Sequence, residues 1–179
     1  MNALKDLFLN ELSDMYEAEH RIMEALPGFI KAATSPPLQN ALKDDLGETL
    51  DREDKIVRVF AAFDEKARAR RCPAILGILE EGEEIISETR DSPAVNAAIV
   101  SAVRKVEHYE RASYGSLRAW AGLLDNSEAA GLLEDILDEP TVADKILHDH
   151  AESRDEGGEG CPAWRRVLHS ARFSLNEIL

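Results

Sequence analysis

Five glutamates that fall on or beside apolar helical stripes are the residues of this sequence best placed to do chemistry. In the segment VEHYE, residues 106–110, Glu107 and Glu110 lie one helical turn apart and next to apolar positions. A carboxylate moved into a helical core without a partner costs several kcal/mol or takes up a proton. The same argument applies to single acids on the inner faces of the other long helical segments: Glu19, Glu48 and Glu139.

Such a set of inward-facing carboxylates indicates a two-metal centre. Iron(II) and manganese(II) are hard ions that take oxygen ligands from several directions, and carboxylates can bridge between two of them. The alternative is that these acids sit at the edges of their stripes and reach solvent, or pair with a basic side chain such as Arg52, Arg104 or Lys145. Spacing alone leaves both interpretations open.

Composition and charge limit the other possible functions. The chain has 179 residues, a length typical of one domain. Its 35 acidic residues outnumber 21 basic ones, and the resulting charge of −14 repels nucleic acids and anionic membranes. No apolar run approaches the length of a signal peptide or a membrane span. We therefore expect a cytoplasmic protein that binds neither nucleic acid nor membrane, with Cys72 and Cys161 as reduced thiols.

Apolar residues recur every three or four positions, which predicts an all-α protein. Long helices are expected at about 4–33, 36–66 and 93–124, with a short crossover helix at about 74–89. A fifth helix follows residue 127, and Pro140 should kink or split it. The four long helices predict a four-helix bundle over residues 1–152. Residues 153–179 read as a linker and a short amphipathic helix bearing Trp164, Val167, Leu168 and Phe173.

Several local motifs resemble one protein family. They are LSDMYEAE at 12–19, LGET at 46–49, RCPA at 71–74 and, most specifically, KVEHYERASYG at 105–115. Together they resemble the YciF-like family of ferritin-like bacterial stress proteins, from about residue 3 to 152. The resemblance implies a ferritin-like bundle, often dimeric, with a two-metal site and an association with general stress responses. It implies no particular catalysed reaction.

The resemblance also implies a ligand set. Glu19, Glu48, Glu107, Glu110 and Glu139 match the ligand carboxylates of the family and its ferritin-like relatives. Those relatives commonly carry a histidine three residues after the second-helix and last-helix glutamates, where this chain has Asp51 and Val142. Asp51 can replace one ligand, whereas Val142 cannot.

Three more positions depart from the family pattern. Asp45 stands where histidine is usual, Arg52 where a neutral amide or histidine is usual, and Pro140 where an acid is usual. Arg52 would place a cation near the site and compete with metal for Glu48. A weaker or single-metal site is therefore an alternative. His108 points about 100° away from Glu107 on a helix, so we expect it to pack or to position a ligand, with direct metal ligation as the alternative.

These observations favour a protein that holds two divalent ions, iron or manganese, and handles peroxide, oxygen or free metal during stress. Its reaction would be that of an oxidase or peroxidase, its ligand a small oxidant or metal ion, and its assembly a homodimer. The alternative is a metal-free acidic helical stress protein that acts through dimerisation or partner binding, which the departures at Arg52, Val142 and Pro140 favour. A mineral-storing cage is a weaker third option.

Overall fold

A computed structural model describes residues 3–142 and 144–145, and these residues form a helical bundle. Its helices are α1 (Ala3–Ala32), α2 (Pro36–Ala61), α3 (Pro73–Glu88), α4 (Val95–Leu123) and α5 (Ser127–Leu137). Within the described residues there is no strand. The predicted all-α architecture with a short crossover helix is confirmed.

The helices begin where the sequence supplies start signals. Proline follows the N-cap residue of α2, Ser35, and of α3, Cys72, and proline is pre-organised for the first helical turn. Asn126 caps α5 through its side-chain oxygen, which accepts a hydrogen bond of 3.0 Å from the backbone N–H of Ala129. Cys72 is a free, buried thiol whose Sγ lies 3.0 Å from the hydroxyl of Tyr109.

Helix α2 is shorter than the sequence predicts, since it ends at Ala61 and not near Lys66. The chain turns there through Asp64, whose φ of 59° is left-handed. It then runs back beside α1, where the backbone N–H of Arg70 donates to the carbonyl of Ser13 at 3.1 Å. Residues 64–68 carry no large apolar side chain, so packing against the core does not extend the helix past this edge.

Packing between helices produces the bundle. Helix α1 lies against α2, α3 and α4, and α5 lies against α2 and α4. Each of the five helices contributes large side chains to the core. Among the largest that are fully buried are Phe8, Leu12, Leu38, Phe60, Ile75, Tyr114, Leu117 and Leu133. Helices α3 and α4 approach closely at Gly82, where a Cβ would lie 3.0 Å from the Cβ of Ala102. Glycine at this position permits the crossover helix to seat on α4.

Pro140 divides the last helical segment, as predicted. Helix α5 ends at Leu137, and a new helical turn begins at Val142. Thr141 caps that turn: its Oγ1 accepts a 3.1 Å hydrogen bond from the N–H of Asp144, whose carboxylate accepts from Thr141 in return. The predicted C-terminal linker and amphipathic helix, including Trp164, lie outside the described residues.

Candidate functional site

The side chain of Arg52 on α2 stands at the centre of the candidate site. Its guanidinium contacts carboxylates from three other parts of the bundle and one from its own helix, although only 8% of the side chain is exposed. Nε lies 3.2 Å from Glu19 on α1 and 3.6 Å from Glu110 on α4. Nη1 lies 3.0 Å from Glu139, which follows α5. Arg52 therefore ties α1, α2, α4 and the end of α5 together.

Helix α2 supplies two more oxygens to the same guanidinium. Nη2 of Arg52 donates to Oγ1 of Thr49 at 2.7 Å and to Oδ1 of Asp45 at 3.3 Å. Asp45, Thr49 and Arg52 are spaced by four and then three residues, so they share the face of α2 that turns inward. This polar stripe was not recognised as a unit in the sequence, although its helical spacing was visible.

Glu19 is fully buried, and both of its carboxylate oxygens are engaged. Oε2 accepts from Nε of Arg52 at 3.2 Å, and Oε1 accepts from the hydroxyl of Tyr114 on α4. Tyr114 is 1% exposed. Of the predicted ligands, Glu19 and Glu110 are the pair that the structure brings deepest into the bundle.

Burial shifts the pKa values of Glu19, Glu110 and Arg52. Desolvation raises the pKa of Glu110 well above the ordinary carboxyl value, and the adjacent charge of Glu19 raises it further. Desolvation also raises the pKa of Glu19, but Arg52 and Tyr114 oppose that shift by stabilising its charged form. Glu110 is thus the carboxyl that more readily holds a proton. Burial tends to lower the pKa of Arg52, yet Glu19, Glu110 and Asp45 outweigh it and raise the value.

Glu139 has two cationic partners. One oxygen accepts from Nη1 of Arg52 at 3.0 Å, and the other lies 2.6 Å from Nζ of Lys55. Lys55 lies three residues after Arg52 on α2. The predicted ligand Glu139 therefore does reach the centre, but a pair of basic side chains from α2 already neutralises its charge.

Glu107 lies beside the break at Pro140. Its Oε1 accepts a hydrogen bond of 2.6 Å from the backbone N–H of Val142, at the start of the helical turn that follows Pro140. Desolvation raises the pKa of Glu107 to about 7, and the bond from Val142 opposes that rise. The carboxylate thus occupies the N-terminal end of a helical turn, where backbone N–H groups favour negative charge.

Other predicted residues lie away from this centre. Glu48 is half-buried and pairs with Lys145, 2.5 Å from Nζ, and not with Arg52 as expected. Asp51 and His108 are exposed. Exposure of Asp51 follows from its place on α2, one residue before the buried Arg52 and so about 100° away on the helix.

A small cavity adjoins the guanidinium. It has a volume of about 40 Å³, and its walls include four acids: Asp45, Glu107, Glu110 and Glu139. Oε1 of Glu110 is buried and has no hydrogen-bond partner within the described residues, because Nε of Arg52 lies 3.6 Å away. A cavity of this size can hold a water molecule or a small ion.

The arrangement can be tested against a two-metal centre. Among residues 3–142 and 144–145, no three Asp, Glu, His or Cys side chains are grouped as a metal would require. Arg52 lies between Glu19, Asp45 and Glu139, while Lys145 holds Glu48. The residues as arranged therefore do not fit two ions. Assignment of Glu19, Glu48, Asp51, Glu107, Glu110 and Glu139 as metal ligands stays a prediction.

The helices and their buried carboxylates define a class of protein: a four-helix bundle whose core encloses ion pairs between acidic and basic side chains. The family described as "Domain of unknown function (DUF892)" matches residues 3–156. Protein YciF of Escherichia coli strain K12 is 36% identical over 154 residues, which are 84% of this chain and 92% of YciF. The chain therefore belongs to the DUF892 family, and the predicted resemblance to YciF-like proteins is confirmed.

Solved structures show the same fold. The crystal structure of the E. coli stress protein YciF superposes with a TM-score of 0.75 at 34% identity, covering 88% of this chain and all of that one. YcfI from Rhodopseudomonas palustris, described as a proposed structural protein, superposes with a TM-score of 0.75 at 33% identity, covering 86% of this chain and 94% of that one. Within the described residues, no helix is both long and apolar enough to cross a membrane.

Proposed function

We propose that this chain is a non-catalytic structural protein of the bacterial stress response, with an acidic centre in which Arg52 supplies positive charge in place of a metal cofactor. One observation carries the proposal: the guanidinium of Arg52 contacts the carboxylates of Glu19, Asp45, Glu110 and Glu139 in the bundle interior. Arginine is always protonated in proteins, so this positive charge is permanent. Unlike an iron or manganese ion, a guanidinium does not cycle between oxidation states.

One relative supports the structural role and the other supports the link to stress. YciF is described as a stress protein, and YcfI as a proposed structural protein. Each matches this chain over more than 80% of its length. A bundle held by internal ion pairs needs no metal supply. Its action would then depend on its outer surface and on pairing with a second copy.

Metal analysis of protein purified without chelator tests the proposal. We expect far less than one iron or manganese ion per chain, and a melting temperature that EDTA does not change. Sedimentation velocity on the same sample should show a dimer that persists in EDTA. Two tightly held ions per chain, lost together with thermal stability on chelation, would overturn the proposal and support the oxidase or peroxidase reading.

A second candidate is favoured by one specific observation. Oε1 of Glu110 is buried without a hydrogen-bond partner in the described structure, and it borders the cavity that Asp45, Glu107 and Glu139 also line. Such an oxygen is a good acceptor for one divalent cation, iron or manganese, which would supply redox chemistry when bound. Glu107 and Glu110, which both line this cavity, would supply two of its oxygen ligands.

The two candidate functions differ in the number of metal ions that each chain should bind. The single-cation site predicts one ion per wild-type chain and none in the Glu107→Ala/Glu110→Ala variant. The metal-free protein predicts no specific ion in either. A matched control is Glu80→Ala/Glu83→Ala, which removes two exposed acids from α3 with the same spacing and the same change in formal charge. Loss of the ion in both variants would indicate nonspecific surface binding.

A further inference from the structure

We infer that residues 162–179 of this chain dock as a helix in a surface groove between α4 and α5 of the same molecule. The groove has a volume of about 460 Å³, and each of the two helices contributes three residues to its walls: Arg118, Ala119, Gly122, Ala130, Gly131 and Glu134. Its occupant is the predicted amphipathic tail, which lies outside the described residues. This docking is independent of the proposed function, because it concerns the outer surface of the bundle and not the charges in its interior.

The groove is open because most of the residues that line it are small. A Cβ added at Gly122 or at Gly131 would meet no other described residue within 4 Å. Leu123, the residue after Gly122, is 71% exposed and adds apolar surface at this end of α4. Large apolar side chains from another segment can therefore enter the space above the two glycines and be removed from water there.

The tail has the apolar pattern of a helix that packs on one side. Pro162 is suited to the first helical turn. Apolar residues then recur at three- and four-residue steps and form one stripe, from which only Phe173 is excluded: Trp164, Val167, Leu168, Ala171, Leu175 and Ile178. An isolated helix of this length is marginally stable in water, so the stripe needs a surface to pack against.

Charge complementarity favours one direction for the tail. On a helix, Arg165 and Arg172 lie on the same flank of the apolar stripe. When the tail runs antiparallel to α5 with its stripe in the groove, the right-handed turn of the helix places this flank over α5. Exposed acids lie on α5 and directly after it: Glu128, Asp135 and Asp138. The opposite flank of the tail bears Ser170 and Ser174 and faces α4, where Arg118 lines the groove.

The connection to the tail is long enough for this path. The described residues end at Lys145, whose Nζ lies 2.5 Å from a carboxylate oxygen of Glu48 on α2. Residues 146–161 can span at most about 55 Å when extended. Helix α5 has 11 residues and is therefore about 16 Å long. The chain can turn back along α5 and place Trp164 in the groove of the same molecule, so a second copy is not required.

The test follows the tail in the full chain by fluorescence and by trypsin. The chain has two tryptophans, so Trp120→Phe leaves Trp164 as the reporter. We expect its emission to be blue-shifted relative to the same chain in urea. Gly122→Leu/Gly131→Leu fills the groove and should shift that emission to the red. In chains that keep Trp120, the same double substitution should speed tryptic cleavage after Arg166 and Arg172 by at least about tenfold, because cleavage follows the undocked population.

Two matched controls make the result specific. Gly28→Leu/Gly77→Leu changes two exposed helical glycines on α1 and α3, where an added Cβ also meets no other described residue within 4 Å. It should leave the emission of Trp164 and the rate of cleavage unchanged. Within the tail, Arg172→Glu should shift the emission to the red, whereas Arg166→Glu makes the same change in formal charge on the side away from the groove and should not.

Circular dichroism of each variant separates undocking of the tail from unfolding of the bundle. Trp164 emission that matches the urea-unfolded chain, or that Gly122→Leu/Gly131→Leu leaves unchanged while the helical signal is native, overturns the inference. If that variant loses helix, the two tail variants decide: a red shift in Arg172→Glu alone supports docking, and equal emission overturns it. A red shift on dilution of the protein would show that the tail docks on a second copy, which also overturns docking within one chain.

Discussion

Arg52 on α2 donates a hydrogen bond through Nε to Oε2 of Glu19 on α1, 3.2 Å away, at a depth where Glu19 has no exposed surface. The two residues are 33 positions apart in the chain, and the bond joins antiparallel neighbours in the bundle. Burying either charge alone would be costly, so each residue makes the position of the other tolerable. The ion pair therefore stabilises the packing of α1 against α2.

The shape of the Arg52 side chain should matter as well as its charge. The Arg52→Lys substitution keeps the positive charge but loses the fork of donors that reaches Glu19, Asp45, Thr49 and Glu139 together. We expect it to lower the free energy of unfolding by about 1–3 kcal/mol, and Arg52→Gln by about 3–5 kcal/mol, in urea titrations at neutral pH. Equal stability of both variants and wild type would show that the network contributes little.

Tyr114 should be the second most sensitive member of the centre. Its buried hydroxyl donates to Glu19, so Tyr114→Phe leaves a carboxylate oxygen without that donor and should cost about 1–3 kcal/mol in the same titrations. Tyr16→Phe is a matched control. Tyr16 also donates to a glutamate, Glu53, but over 3.3 Å and at a half-buried position. We expect a loss below about 1 kcal/mol for that control, and a larger loss there would contradict the assigned importance of Tyr114.

Much of this fold was predictable from the sequence because helical periodicity and proline-marked starts are local signals. Glu19 and Glu110 were correctly placed inside because each interrupts an apolar stripe. The end of α2 was not predicted, since charged residues at 64–68 favour a helix locally while the position of the core decides where it stops. Tertiary packing overrides local propensity at such ends.

The partners of the buried acids were harder to predict than the acids themselves. Arg52 and Lys145 were both recognised as possible partners of the acids, but Arg52 was expected beside Glu48, which the structure instead pairs with Lys145. Rotation about α2 explains the difference: Arg52 shares its inward face with Asp45 and Thr49, whereas Glu48 lies one residue before Thr49 and about 100° from it. Which side chains meet across helices depends on that rotation, which spacing within a single helix does not reveal.

Asn126 should stabilise the corner between α4 and α5. Its side chain accepts from the N–H of Ala129 at 3.0 Å and donates to the carbonyl of Ala62 at 2.8 Å, so it caps α5 and fastens it to the end of α2. Asn126→Ala should lower the free energy of unfolding by about 1–2 kcal/mol, measured by thermal or urea unfolding. Asn126→Asp is the informative comparison: it keeps the cap but cannot donate to Ala62, so it should recover part of the loss. Full recovery would show that the bond to Ala62 is unimportant.

Glu107 should make the protein less stable as the pH rises. Its pKa is about 7 in the fold because of desolvation, against an ordinary value of 4.5. Below pH 4.5 the carboxyl is protonated in both states and carries no penalty; between 4.5 and 7 the unfolded chain releases the proton first, so stability falls with rising pH. Above pH 7 the full cost applies, about 3 kcal/mol for a shift of this size.

Glu107→Gln keeps an acceptor for the N–H of Val142 but cannot ionise. We therefore expect its stability relative to wild type to increase by up to that amount between pH 5 and pH 8. Glu80→Gln, which removes the same formal charge from an exposed position of α3, is the matched control. A wild-type stability that instead rises across this window relative to Glu107→Gln would mean that the bond from Val142 outweighs the desolvation of the carboxylate.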